Sequence, residues 1–233
     1  MSEDVQDLLD GLIQQLCPDW SCEFPGPLAP DHERFELIAA KRMQVARVLR
    51  RRPDRAAALS EQVLATIVAD EDSSCNRQLV APLVTAIGRS AVLAGLLSYA
   101  RSGSPAQQAG AARGWYWAQP TLVYPTRADL DNRRPTAASQ AEWDEMADLC
   151  RAFRIACLTA FLATDDVRAR ADLAMRFTLN PEDYPPELAA EVDEARSIAA
   201  GDPQRYRRLL TDTTEAGLSQ LGARPLRPVL PDP

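Results

Sequence analysis

Apolar residues recur at helical spacing along almost the whole chain of 233 residues, and this periodicity is the strongest constraint on its fold. The runs at 63–68, 79–87 and 92–100 place apolar side chains at i, i+1, i+4 and i+5, as one face of an α-helix requires. No comparable run alternates β-branched with polar residues, which a half-buried strand would need. The sequence therefore predicts an all-α protein.

Prolines, glycines and short polar clusters interrupt the periodic runs and predict about ten helices. They cover residues 4–16, 32–51, 54–69, 76–88, 90–102, 105–118, 139–163, 166–179, 186–200 and 203–217. Spacing from Trp143 to Phe161 indicates one long amphipathic helix over 139–163. Helices of ordinary length with short connections favour stacked antiparallel pairs.

Proline-rich stretches without periodicity predict the domain organisation. Residues 1–31 would form an N-terminal helix followed by a linker, and residues 219–233 a tail that its prolines keep from being helical. Residues 32–218 would form one helical domain, interrupted by a long loop at 119–138.

Three segments of this domain can be laid over one another, and they begin at residues 67, 97 and 158. Each ends one helix, turns through a short polar stretch and enters a second helix with small or apolar residues at i, i+3 and i+4. If the long loop is an insertion, the spacing approaches a period of about 30 residues, which is typical of a solenoid built from helix pairs.

The third segment resembles a HEAT repeat. Asp166-Val167-Arg168, followed by Ala171 and Ala174, is similar to the turn aspartate, Val-Arg pair and spaced small residues of that family. The resemblance implies that Asp166 and Arg168 tie neighbouring turns together and that the two alanines let helices pack closely. It also implies a HEAT-like α-solenoid, a fold that usually binds an extended partner on a concave wall.

Charge and cysteine usage bear on the compartment. A net charge of −7 disfavours a whole-protein affinity for polyphosphate backbones. The five cysteines include no CxxC pair, and we expect them to be reduced and mostly buried, without a metal role. Because the chain has no apolar leader and no run of about 18 apolar residues, we expect a cytoplasmic protein of bacterial type without a membrane span.

The usual catalytic signatures are missing. The single histidine, His32, excludes multi-histidine metal centres, and there is no Walker loop or GxGxxG motif. A Ser-His or Cys-His unit would need His32, whose acidic neighbours Asp31 and Glu33 are adequately explained by their place at a helix start. We therefore expect no enzyme, no catalytic residue, no metal and no cofactor.

An aromatic cluster followed by an arginine-containing loop is the first candidate binding site. Consecutive aromatic residues on a helix point about 100° apart, so at least one of them should meet the loop or the solvent. Tryptophan, tyrosine and arginine dominate binding hot spots, although the loop could instead fold back and cover the rings. The candidate partner-binding residues are Trp115, Tyr116, Trp117, Tyr124, Arg127, Arg133 and Arg134.

A basic stretch at 41–55 is the second candidate, for nucleic acid. It consists of Lys41, Arg42, Arg47, Arg50, Arg51, Arg52 and Arg55. The acidic stretch 1–36 could neutralise it, and no aromatic residues are interleaved for base stacking. We therefore expect a protein-binding scaffold, adaptor or inhibitor, with nucleic-acid binding as the alternative. The partner's identity and the oligomeric state stay open.

Overall fold

The computed structural model of the chain describes residues 4–21 and 30–212, and within these ranges all regular secondary structure is helical. The all-α prediction is confirmed. The α-helices are α1 Val5–Leu16, α2 Pro30–Arg51, α3 Pro53–Ala58, α4 Ser60–Ala69, α5 Arg77–Ile87, α6 Arg89–Ser102, α7 Pro105–Ala118, α8 Arg127–Asp131, α9 Ala137–Glu145, α10 Ala147–Ala163, α11 Val167–Ala174, α12 Ala189–Gly201 and α13 Arg207–Asp212. Two short 3-10 helices, Pro181–Asp183 and Pro186–Leu188, precede α12.

Polar side chains fix several helix starts because they accept hydrogen bonds from otherwise unpaired backbone N–H groups. The Asp4 carboxylate caps α1 by accepting from the N–H of Gln6 at 2.9 Å. Ser104 and Gln107 form a reciprocal capping box at the start of α7. Asp166 accepts from the first N–H groups of α11.

Two helices that the periodicity predicts as continuous are broken in the structure. The predicted helix 54–69 divides at Leu59, and the predicted helix 139–163 divides at Met146, whose φ and ψ are −95° and 0°. No proline or glycine marks either break. Met146 is buried in the core, and the apolar spacing continues unchanged through the break.

Other boundaries differ at element ends. The predicted helix 166–179 stops at Ala174, and the following residues Phe177 and Leu179 are buried without being helical. The predicted loop 119–138 contains the short helix α8 and the first residues of α9. Most of the predicted linker, the end of the predicted helix 203–217 and the predicted tail at 219–233 lie outside the described residues.

Nine of the described helices contact one another in two rows. One row runs α1, α4, α7 and α11, and the other runs α2, α5, α6, α10 and α12, each helix touching the next. Contacts between α1 and α2, α4 and α5, α6 and α7, and α10 and α11 join the rows. No helix in the described part of the chain has both the length and the apolar character needed to cross a bilayer.

Helix α7 lies at the centre of this packing, because it contacts α4, α5, α6, α10 and α11. Its close approach to α4 depends on glycine. A Cβ at Gly110 would lie 1.8 Å from the carbonyl oxygen of Val68, and one at Gly114 would lie 2.8 Å from Ile67 Cγ2. The two glycines, one turn apart, therefore set the position of α7 and of the aromatic residues at its end.

Candidate functional site

The three consecutive aromatic residues at the end of α7 point in different directions. Trp115 is buried and stacks on Phe153 of α10, with ring centroids 3.7 Å apart. Tyr116 is 39% exposed, and Trp117 is half-buried with its ring edge-on to Tyr116 at 4.8 Å. Trp115 is thus a core residue, which corrects its assignment to a binding surface, whereas Tyr116 and Trp117 reach the surface.

Tyr116 and Trp117 line an open cavity of about 430 Å³, which we call the α7–α11 cavity. Its wall comes from α7, from the α4–α5 connection (residues 70–76) and from the end of α11. The side chains used below are Arg113, Tyr116, Trp117, Asp172, Met175 and Arg176. Trp117 Nε1 donates to the carbonyl oxygen of Ser73 at 2.6 Å, so this ring is tied to the α4–α5 connection.

Arginines surround the cavity. Arg113 donates from Nη1 to Asp172 Oδ2 at 2.5 Å and from Nε to the carbonyl oxygen of Asp70 at 3.3 Å. The guanidinium carbon of Arg176 lies 5.2 Å from the Tyr116 ring centroid, and that of Arg77 lies 5.9 Å from the Trp117 ring. Both distances are within the range of cation–π attraction.

Electrostatics distinguish Arg176 from Arg113. Burial lowers the pKa of Arg176 to about 10, because a desolvated guanidinium disfavours its charge. Its Nε is buried and has no hydrogen-bond partner among the described residues. Among the described residues, Arg113 thus has a carboxylate within 4.0 Å and Arg176 has none.

The loop residues of the predicted site lie outside the described lining of the α7–α11 cavity. The loop is anchored to the start of α9, because Val123 N–H donates to Ser139 Oγ at 3.0 Å and Thr136 N–H donates to the Val123 carbonyl oxygen at 2.8 Å. The described lining of the α7–α11 cavity includes none of the loop candidates, which are Tyr124, Arg127, Arg133 and Arg134. Arg127, for example, is exposed and pairs with Asp131 one turn on.

The ring that stacks on Trp115 is that of Phe153 in α10, which lies outside the loop. Its start is held by Arg89, which donates from Nη1 to the carbonyl oxygens of Ala118 and Gln119 and from Nε to Glu142. Arg133 adopts a positive φ of 53° at the turn that closes α8. The structure therefore separates the predicted aromatic and arginine cluster into a cavity and a loop.

Two residues of the predicted nucleic-acid site belong to the protein's interior. Lys41 is 7% exposed and pairs with Asp10 at 2.5 Å, and Arg42 is 2% exposed and binds Asp70 through two hydrogen bonds. Their charges are compensated inside the fold, so both are unavailable to a phosphate backbone. The burial of Lys41 and Arg42 corrects their prediction as contacts for nucleic acid.

The remaining basic residues lie on the surface at the end of α2 and the start of α3. Arg47, Arg50, Arg51, Arg52 and Arg55 are exposed. Arg52 pairs with Asp54, and Arg55 donates to the carbonyl oxygen of Gln15. Arg50 and Arg51 occupy the last turn of α2, where the helix dipole favours positive charge.

The residues singled out by the HEAT resemblance lie on α11. Asp166 Oδ1 accepts from the N–H groups of Arg168 and Ala169, so it caps its own helix. Arg168 reaches Glu71 of the α4–α5 connection at 3.0 Å, in an exposed pair. Ala174 is buried and Ala171 half-buried.

Within the described ranges, no group of three or more His, Cys, Asp or Glu residues is placed to hold a metal ion. His32 lies on the exposed first part of α2, 3.7 Å from Glu36. Cys157 is fully buried, and burial raises the pKa of its thiol. Cys17, Cys75 and Cys150 are half-buried free thiols.

Sequence reasoning missed Arg113, Asp172, Met175 and Arg176. The overlay of the second and third segments contained a signal for one of them, since it places Arg176 opposite Trp115, next to Tyr116. Neighbouring repeats that stack bring such equivalent positions side by side. In the structure, α7 contacts α11, and Arg176 lies beside Tyr116.

Comparisons with known proteins give no assignment: no family model, no curated protein and no solved structure matches this chain.

Proposed function

We propose that this protein is a non-catalytic scaffold, adaptor or inhibitor that holds a partner protein at the α7–α11 cavity. The observation that carries the proposal is the composition of this cavity. Tyr116, Trp117 and two arginines line one open space of about 430 Å³. These residue types supply most of the binding energy in protein interfaces.

The proposal includes a HEAT-like α-solenoid as the architecture. The two rows of helices support it, because successive helices in each row touch and four contacts join helices across the rows. The Arg168–Glu71 pair supports it further, since this pair joins α11 to the α4–α5 connection.

Site-specific photocrosslinking tests the proposal. A benzophenone amino acid replaces Tyr116 in the full chain, and cells of the native host are irradiated. We expect one adduct of defined mass, identified by mass spectrometry. Met43 on α2 is the matched control, because its side chain is 54% exposed against 39% for Tyr116. If exposure alone decided which position is crosslinked, position 43 would give more adduct than position 116.

The same adduct from both positions, or none from position 116, contradicts a partner site at the cavity. An adduct confined to position 116 also provides the partner's identity for reconstitution with purified components.

The exposed arginines of α2 favour a second candidate, nucleic-acid binding. Among the described residues, Arg47, Arg50 and Arg51 have no carboxylate within salt-bridge distance. Fluorescence anisotropy with a labelled DNA duplex tests this function. Replacing the three arginines by glutamine should remove binding and its salt dependence. Unchanged binding would exclude this surface.

A further inference from the structure

The most distinctive group in the α7–α11 cavity is the Arg176 guanidinium. Within the described part of the chain, no carboxylate lies within 4.0 Å of it, although the neighbouring arginine, Arg113, has Asp172 at 2.5 Å. The buried Nε of Arg176 has no hydrogen-bond acceptor there. A partly buried charge without a counter-charge is costly to the fold, and proteins usually pair it.

Tyr116 holds this guanidinium in place. Its ring centroid is 5.2 Å from Arg176 Cζ. Contact with an aromatic face fixes the plane of a guanidinium while leaving its edge available for two parallel hydrogen bonds. Because the Nε atom of Arg176 is buried, a planar acceptor such as a carboxylate would bind through the two Nη groups of this cavity-lining side chain.

The lining of the cavity carries more positive than negative charge. Among its described lining residues, Arg113 and Arg176 are cationic and Asp172 is anionic, so one positive charge is in excess. This excess favours an anionic group over a cationic one.

The cavity also presents apolar surface beside the charge. Met175 is 38% exposed and Tyr116 is 39% exposed, and both line the cavity. An occupant that matches the whole cavity needs an apolar side chain next to its negative group.

We infer that the α7–α11 cavity binds an acidic segment of a partner protein, in which a carboxylate sits on Arg176 and an adjacent apolar side chain packs on Tyr116 and Met175. This inference rests on the proposed function and names the chemistry of its partner. One guanidinium without a carboxylate matches one negative charge. A nucleic-acid backbone would instead need several cations along its phosphates. In this cavity, the carboxylate of Asp172 lies among the arginines.

Peptide display on the full chain tests the inference. A random-peptide phage library is selected against the immobilised protein, and the selected peptides are synthesised with a fluorescent label. We expect them to contain aspartate or glutamate beside an aromatic or aliphatic residue. Replacing that acidic residue by its amide should weaken binding about ten- to hundredfold, the range for a hydrogen bond to a charged group.

Variants of the protein locate the contact. Arg176→Met should weaken the peptides by the same factor and should abolish the difference between acid and amide forms. Arg176→Lys should keep part of that difference. The exposed Arg151 on α10 is the matched control, and Arg151→Met should bind like the wild type. The peptide substitution keeps the test valid if an Arg176 variant fails to fold.

The outcomes separate this inference from the proposed function. One outcome is a set of peptides that lose affinity for Tyr116→Ala but contain no acidic residue, and another is a set that binds Arg176→Met unchanged. Either result overturns the acidic segment and leaves partner binding at the cavity intact. Peptides that depend on neither residue overturn both. A labelled single-stranded DNA oligonucleotide is measured in parallel, and binding that requires Arg176 in place of any peptide also overturns the inference.

Discussion

Arg42 donates from Nε and Nη2 to the two carboxylate oxygens of Asp70, at 2.7 and 3.0 Å, and both side chains are almost completely buried. The pair joins α2 to the α4–α5 connection. The Asp70 carbonyl oxygen accepts in turn from Arg113 of α7. One buried ion pair therefore connects the N-terminal helices to the wall of the α7–α11 cavity.

Breaking this pair should destabilise the fold strongly. Asp70→Asn removes the bidentate partner of the buried Arg42 guanidinium and leaves only Asp72, 3.6 Å from Arg42 Nη1, which we expect to cost about 3 kcal/mol of unfolding free energy. Urea unfolding monitored by circular dichroism measures the loss. Asp54→Asn, which removes the exposed partner of Arg52, is the control and should change stability little. Equal effects would show that the Arg42–Asp70 pair is not stabilising the core.

Two glycine-to-alanine substitutions, one at the contact between α7 and α4 and one in α1, should change the stability of the fold in opposite directions. Gly110→Ala places a Cβ 1.8 Å from the Val68 carbonyl oxygen, so the helices must separate, at a cost of about 1–3 kcal/mol or more. Gly11→Ala in α1 meets no atom within 4 Å and should stabilise by about 0.5–1 kcal/mol. Thermal unfolding of both variants checks the signs, and a stable Gly110→Ala would contradict the close contact.

The two tryptophans of the aromatic cluster should behave differently. Trp115→Ala removes the ring stacked on Phe153 and should cost about 3–5 kcal/mol, as expected for a large core side chain. Trp117→Phe keeps a ring but removes the hydrogen bond to the Ser73 carbonyl oxygen, and should cost about 0.5–1.5 kcal/mol. Denaturant titrations rank the two. A larger loss for Trp117→Phe would reverse the assignment of core and surface.

The N-cap of α11 predicts a pH dependence. Hydrogen bonds from the Ala169 and Arg168 N–H groups lower the pKa of Asp166 in the folded state. Its carboxylate therefore adds stability above the ordinary aspartate range near pH 3.9, and this contribution is lost as the pH falls through the lowered folded pKa.

Comparison with Asp166→Asn isolates the charge, because asparagine is also a good N-cap. Melting temperatures measured from neutral to acidic pH should show the wild type more stable at pH 7 and the two proteins converging in acid. A difference that persists at the lowest pH would mean that the negative charge is not what stabilises the cap.

Individual residues show which parts of the fold and of the candidate site could be predicted from the local sequence. The starts of α1, α7 and α11 follow from Asp4, Ser104 and Asp166, because a cap acts on N–H groups within its own first turn. The break at Met146 could not be predicted, since no proline or glycine marks it and the apolar spacing continues through it. In the candidate site, at least one of the three consecutive aromatic residues was predicted to meet the loop or the solvent, and Tyr116 is 39% exposed. The arginines beside Tyr116 and Trp117 are Arg176 and Arg77, which lie outside the loop that the sequence suggested.

Local sequence is sufficient to make the chain helical and to place most helix starts, since periodicity and caps operate over three to four residues. Which charges are interior and which meet solvent follows from how the helices pack. Arg42 and Arg47 belong to one basic stretch, yet one is buried against Asp70 and the other is exposed. Likewise, Arg176 comes to Tyr116 only because α11 packs on α7. Coulomb attraction and burial depend on distance in space, and spacing along the chain does not specify that distance.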